Sequence, residues 1–218
     1  RTERILIEEL SRTRPGYGFL VEESGTIEGP DKTHRFIIDP LDGTTNFLHS
    51  IPHFAISIAL EREGQIVSAL VYNPISDDLF IAEKGHGAYL NDKRLRVAAR
   101  KQMRDALSAT GIPFMGKDGH ERFLGELAAV MAVSPGVRRF GSAALDLAWL
   151  AAGRYDAYWE RGLQIWDIAA GVLLVREAGG VVSDLDGGAR MLESGNILAA
   201  NEALHPQFLK LIRQAEAR

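Results

Sequence analysis

Four acidic residues in three separated stretches have the types and spacing to do chemistry. They are Glu22 in VEES (21–24), Asp39 and Asp42 in FIIDPLDGTTNF (36–47), and Asp167 in WDIAAG (166–171). If they converge, each pair of unit charges about 4 Å apart repels by about 4 kcal/mol at an effective dielectric near 20. Such a pocket must take up protons, spread apart or bind cations. With no cysteine in the chain and no histidine within the three acidic stretches, the donors there are all oxygen. That donor set selects Mg²⁺, with Mn²⁺ as a substitute, over zinc. The carbonyl of Leu41 lies between the two aspartates of the DPLD run. Gly43, Thr44 and Thr45 read as the start of a short helix, whose backbone N–H groups offer donors to an anion such as phosphate. Singly, each piece has a plain reading: DPLDG as a turn, Glu22-Glu23 as a solvated turn, Asp167 as a helix cap worth about 1 kcal/mol.

The elements that must position these residues follow from periodicity. Phe36, Ile37 and Ile38 form an apolar strand, and Pro40 pushes Asp39 out of the α region, so the strand is expected to end there. Residues 1–13 read as an amphipathic helix stopped by Arg14-Pro15-Gly16, 17–21 as a strand and 26–33 as a polar loop. From Phe54 the spacing is that of antiparallel strands: 54–60 with small residues on one face, 65–72, 79–83 and 88–90. Gly85-His86-Gly87 lacks a third glycine and a following helix, so it reads as a hairpin turn and not a phosphate loop. Further on, 106–110, 156–160, 181–184 and 197–200 read as strands. Helices are expected over 119–132, 142–152, 164–178 and 202–215. The helix from Gln164 is apolar on nearly every face, which implies burial between layers.

The chain has 218 residues, 46% hydrophobic, with a net charge of −4, so it can bury a sizeable core and carries no broad nucleic-acid footprint. No apolar run reaches membrane-spanning length and no signal peptide is visible. With the absence of cysteine, this leads us to expect a cytoplasmic protein. The reading treats 1–218 as one domain, with a metal- and phosphate-binding part over 1–135 and a part over 136–218 that supplies Asp167. The chain opens on Arg1 inside a helical pattern, so a preceding segment is expected.

The sequence resembles the inositol monophosphatase family, most closely its bacterial SuhB-type branch. The resemblance is carried by VEES at 21–24, DPLDGTTNF at 39–47, GSAALDLA at 141–148 and WDIAAG at 166–171, in that order. It departs in Val21, where many relatives carry glycine, and in lacking the family's opening helices with their Asp-bearing segment. The resemblance implies a layered α/β fold, the αβαβα sandwich of the sugar-phosphatase superfamily. It implies a lithium-sensitive, Mg²⁺-dependent phosphomonoesterase with two or three ions, acting on myo-inositol 1-phosphate or a similar polyol phosphate, and commonly a homodimer. Glu22, Asp39, Leu41, Asp42 and Asp167 are then the metal ligands. Glu22 and Thr44 orient the attacking water, and Gly43, Thr44 and Thr45 bind phosphate. Asp42, Gly141, Ser142, Ala143, Glu160 and Asp167 meet the substrate's alcohol part. Rival substrates are fructose 1,6-bisphosphate, a nucleotide 3′-phosphate, histidinol phosphate and NADP. A rival role is an accessory to RNA transcription, for which Arg138, Arg139, Arg154 and Arg161 would form a basic face; scattered surface arginines or a dimer contact are the plainer reading.

Overall fold

The computed structural model describes residues 1–216. The chain runs through α1 (Thr2–Thr13), β1 (Gly18–Val21), β2 (Gly25–Ile27), β3 (His34–Asp42), α2 (Thr44–Leu48), β4 (Ala55–Arg62), β5 (Gln65–Asn73), β6 (Asp78–Glu83), β7 (Gly87–Leu90) and β8 (Lys93–Arg94). After a 3-10 turn at Met103–Asp105 come β9 (Leu107–Thr110), α3 (His120–Met131), β10 (Gly136–Arg138), α4 (Ala143–Ala151) and β11 (Ala157–Glu160). The last elements are α5 (Ile165–Glu177), β12 (Val181–Ser183), α6 (Met191–Ser194), β13 (Ile197–Ala200) and α7 (His205–Glu216).

Two sheets organise these elements. The first has the order β2-β1-β3-β4-β5-β6-β7-β8 and is antiparallel except where β1 lies parallel to β3. The second has the order β10-β9-β11-β13-β12, with β10, β9 and β11 parallel and β13 antiparallel to both its neighbours. Helices α4 and α5 fill the space between the sheets, α1 covers the outer face of the first, and α3 with α7 cover the second. The result is the layer order αβαβα.

Strand alternation explains how α5 fits. Ile58 and Leu60 on β4 point outward to the cluster beneath α1, while Ala55 and Ala59 point inward, with Ser57 between them on that same face. The small inward face lets a helix approach closely. Residues 168–175 of α5 are buried without a break, which is why its sequence is apolar all round. Gly171 lets α4 approach closely: a Cβ there would stand 2.4 Å from Leu147 Cδ1. The far end of α5 is tied down by Glu177, which accepts from the amides of Gly85 (2.8 Å) and Gly87 (2.9 Å). Those two glycines, at φ 83 and 94, bracket the expected hairpin turn.

Some expectations about local structure need correction. β3 does not stop at Asp39; it continues through Pro40 to Asp42, with an irregular register against β4 between the two aspartates. Residues 26–33 are not wholly loop, because Gly25–Ile27 pair with β1 as an edge strand. The closing helix starts at His205, not Glu202, because the Asn201 side chain accepts from the amides of Ala203 and Leu204 and holds a turn there. The short helix α6 and strand β8 were not anticipated.

Candidate active site

Regular alternation would send Asp39 and Asp42 to opposite faces of the first sheet. The irregularity between them removes that constraint and re-aims the chain. Asp39 Oδ1 accepts from the Leu41 amide at 2.8 Å, a side-chain turn that closes around Pro40. Gly43 then takes φ 92, a conformation strained for any other residue, and a Cβ there would lie 3.1 Å from the His53 carbonyl and 3.3 Å from that of Gly141. From α2, the buried Asn46 donates to the carbonyls of His53 (2.8 Å) and Phe140 (2.7 Å), which clamps the turn to the start of α4.

Asp42 is held from a hundred residues away. Its Oδ2 accepts from the Ser142 hydroxyl and from the Ala144 amide at 2.8 Å, both in the first turn of α4. Asp167 stands at the third position of α5, where its Oδ2 accepts from the Gln164 amide at 2.7 Å in a reciprocal capping box. The capping and the ligand readings of Asp167 are therefore compatible: one oxygen caps, and the carboxylate still faces the aspartates of β3. Each of Asp39, Asp42 and Asp167 offers an oxygen within 4.8 Å of the others.

Glu22 stands apart from that trio. It follows β1, its amide donates to the Ile38 carbonyl at 3.3 Å, and its side chain is exposed. Its charge still reaches Asp39 and Asp167 and raises both. The turn that carries it is anchored by the buried Glu3 of α1, which accepts from the Glu23 amide at 3.1 Å and from the Ser24 hydroxyl.

The carboxyls bear the marks of confinement. Burial raises Asp39 strongly, and repulsion from Asp42 adds to it. Burial also raises Asp42, against the pull of the Ser142 hydrogen bond. Asp167 is pushed up to about 6 and Glu160 to about 7, in both cases mainly by burial. Three oxygen donors that repel one another, two of them buried, fit a hard divalent cation. The Leu41 carbonyl is nearby and accepts from the Thr44 hydroxyl at 3.0 Å, keeping a second lone pair for a ligand.

A family model described as "Inositol monophosphatase family" matches residues 1–217 of this chain. The chain belongs to the inositol monophosphatase family. It is 58% identical over 214 residues to an inositol-1-monophosphatase of Mesorhizobium japonicum, covering 98% of this chain and 80% of that one. It is 45% identical over 215 residues to the Nus factor SuhB of Pseudomonas aeruginosa, covering 97% and 79%. A crystal structure of the extragenic suppressor protein suhB from Bartonella henselae superposes with a TM-score of 0.95 at 55% identity, covering 98% of this chain and 82% of that one. Structural neighbours of this family also carry the αβαβα reading of the fold.

Of the remaining expected residues, Gly141 and Ser142 touch the DPLDG turn, and Glu160 shares a cavity with Asp167. Gly141, at φ 83, abuts Gly43 through its carbonyl, Ser142 caps α4, and Ala143 is its buried first residue. Glu160 ends β11 and accepts from the Tyr158 hydroxyl. With Asp167, Gly111, Lys117 and Gln164 it lines a cavity of about 360 Å³. Sequence reasoning gave no role to Gly111, Lys117, Asn46 and Glu3; Asn46 stands inside DPLDGTTNF, and the other three stand in no motif with a chemical signature. The Ser142 hydroxyl, expected at the substrate, donates to Asp42. Two of the four arginines named for a basic face are engaged with acids. Arg154 pairs with Asp78 at 3.3 Å and stacks over Trp149, and Arg161 pairs with the buried Glu126 at 2.8 Å.

No helix among the described residues is long and apolar enough to cross a membrane.

Proposed function

We propose that this chain hydrolyses the phosphate monoester of a small polyol, myo-inositol 1-phosphate or a close analogue, with Mg²⁺ as the working cation and Mn²⁺ as a substitute. The observation that carries the reading is the convergence of Asp39, Asp42 and Asp167 in a member of this family. Bound there, the cations lower the pKa of water and neutralise charge on the phosphoryl and leaving oxygens. Asp39, Asp42 and Asp167, with Glu22 and the Leu41 carbonyl, hold them. Glu22 and Thr44 orient the attacking water, and the Glu22 carboxylate takes up its proton. The amides of Gly43, Thr44 and Thr45 keep the phosphoryl oxygens in line. Gly141, Ala143 and Glu160 face the alcohol part, with Ser142 acting through Asp42. A homodimer and sensitivity to Li⁺ belong to the same proposal.

Phosphate release from inositol 1-phosphate tests it, measured with Mg²⁺, with EDTA and with Li⁺. Release only with Mg²⁺, and its suppression by Li⁺, are the expected results; Mg²⁺-independent release, or none, counts against it. A second reading, an accessory role in transcription, draws on the likeness to the Nus factor. It expects Arg139→Ala to lose capture of a partner from the transcription machinery while phosphate release stays intact.

A further inference from the structure

Glu160 rests on a glycine. Its carboxylate packs against the backbone of Gly111, just after β9, where a Cβ would stand 1.8 Å from Oε1 and 2.2 Å from Oε2. Gly111 is not among the glycines with positive φ, so it is needed for space and not for an unusual backbone. The register explains the contact: β9 and β11 are parallel neighbours with Trp159 opposite Thr110, so positions 160 and 111 leave the sheet side by side. From beneath, the fully buried Tyr158 donates its hydroxyl to Glu160 Oε2, while Oε1 takes no hydrogen bond from any described residue. Lys117, which lines the same cavity, donates from its ammonium to the Gly162 carbonyl at 3.1 Å and ties the loop after Gly111 to the turn after β11.

We propose that Gly111 is a specificity-determining residue. Its bare Cα seats the Glu160 carboxylate against the cavity wall with one oxygen left to accept hydrogen bonds from hydroxyls of the alcohol moiety. The oxygen left free by Tyr158 accepts from a hydroxyl donor, so this wall suits the polyhydroxylated ester already proposed. A site built to bond a substrate hydroxyl discriminates strongly against an ester that lacks one. The inference deepens the phosphatase reading and rests on it.

Gly111→Ala is assayed with Mg²⁺ on two esters: inositol 1-phosphate, and p-nitrophenyl phosphate, whose leaving group carries no further hydroxyl. KM for inositol 1-phosphate is expected to rise on the order of tenfold, with kcat/KM for the aryl ester within about twofold of wild type. Glu160→Gln should also raise KM for inositol 1-phosphate, and adding Gly111→Ala to it should cost little more on that ester, because both act through one carboxylate. Tyr158→Phe, which frees the same side chain from below, reads the claim again if the alanine variant does not fold. Equal loss on both esters by a variant that melts like wild type, or additive effects in the double variant, overturns the role of Gly111. Failure of the wild type on both esters sinks the phosphatase reading itself.

Discussion

Replacing Asp42 by Asn separates a ligand from a structural residue. The amide keeps the shape of the carboxyl, and its oxygen can still accept from the Ser142 hydroxyl and the Ala144 amide. What it removes is charge. Within 4.8 Å and at an effective dielectric near 20, a fully ionised pair among Asp39, Asp42 and Asp167 costs about 3.5 kcal/mol or more, which partial protonation of the trio reduces. Without metal, Asp42→Asn is therefore expected to melt at or above the wild-type temperature. With Mg²⁺ at about a hundred times its Kd, the wild type gains about 2.7 kcal/mol, or roughly 5–10 °C for a chain of this size, and the variant should gain little. The assay is thermal unfolding with EDTA and with Mg²⁺, beside phosphate release on the same samples. A variant that melts well below wild type in EDTA would mean that Asp42 serves packing first. A variant that keeps both the Mg²⁺ shift and turnover would remove Asp42 from the metal shell.

Three further outcomes follow from the same geometry. Asp167 and Glu160 titrate higher in the fold, at about 6 and about 7, than the usual carboxyl near 4, so the native state binds more protons than the unfolded one. Metal-free protein should thus lose stability as pH rises from about 4 to about 7, and saturating Mg²⁺ should flatten the slope; a metal-free protein that grows more stable over that window contradicts the assignment. Glu3→Gln weakens the anchor of the turn carrying Glu22, and the Mg²⁺ concentration for half-maximal activity is expected to rise on the order of tenfold with the fold retained; an unchanged Mg²⁺ midpoint separates Glu3 from the site. Gly171→Ala forces a methyl to within 2.4 Å of Leu147 between α4 and α5, for a loss of about 1–3 kcal/mol in chemical denaturation; unchanged stability would mean the helices can part there.

What could be read from the chain alone was local and periodic. Alternation over 54–60 and the all-round apolar helix from Gln164 report burial within a few residues, and a turn motif such as DPLDGTTNF states its own backbone needs. The family likeness added the layer order and the list of ligands. Which of those ligands meet was decided elsewhere. Asp39 and Asp42 share a pocket because β3 breaks its register against β4, and no short window of sequence encodes a pairing partner's register. Asp42 is gripped by α4 and joined by Asp167 because both helices are pressed between two sheets, while Glu22, one strand away, stays outside the trio. Glu160 sits on Gly111 because two strands lie parallel across roughly fifty residues of chain, and Arg154 and Arg161 answer to acids on other layers. Local structure depends on neighbours in sequence. A charge cluster depends on packing that brings distant carboxylates within a few ångströms, and that only the assembled layers provide.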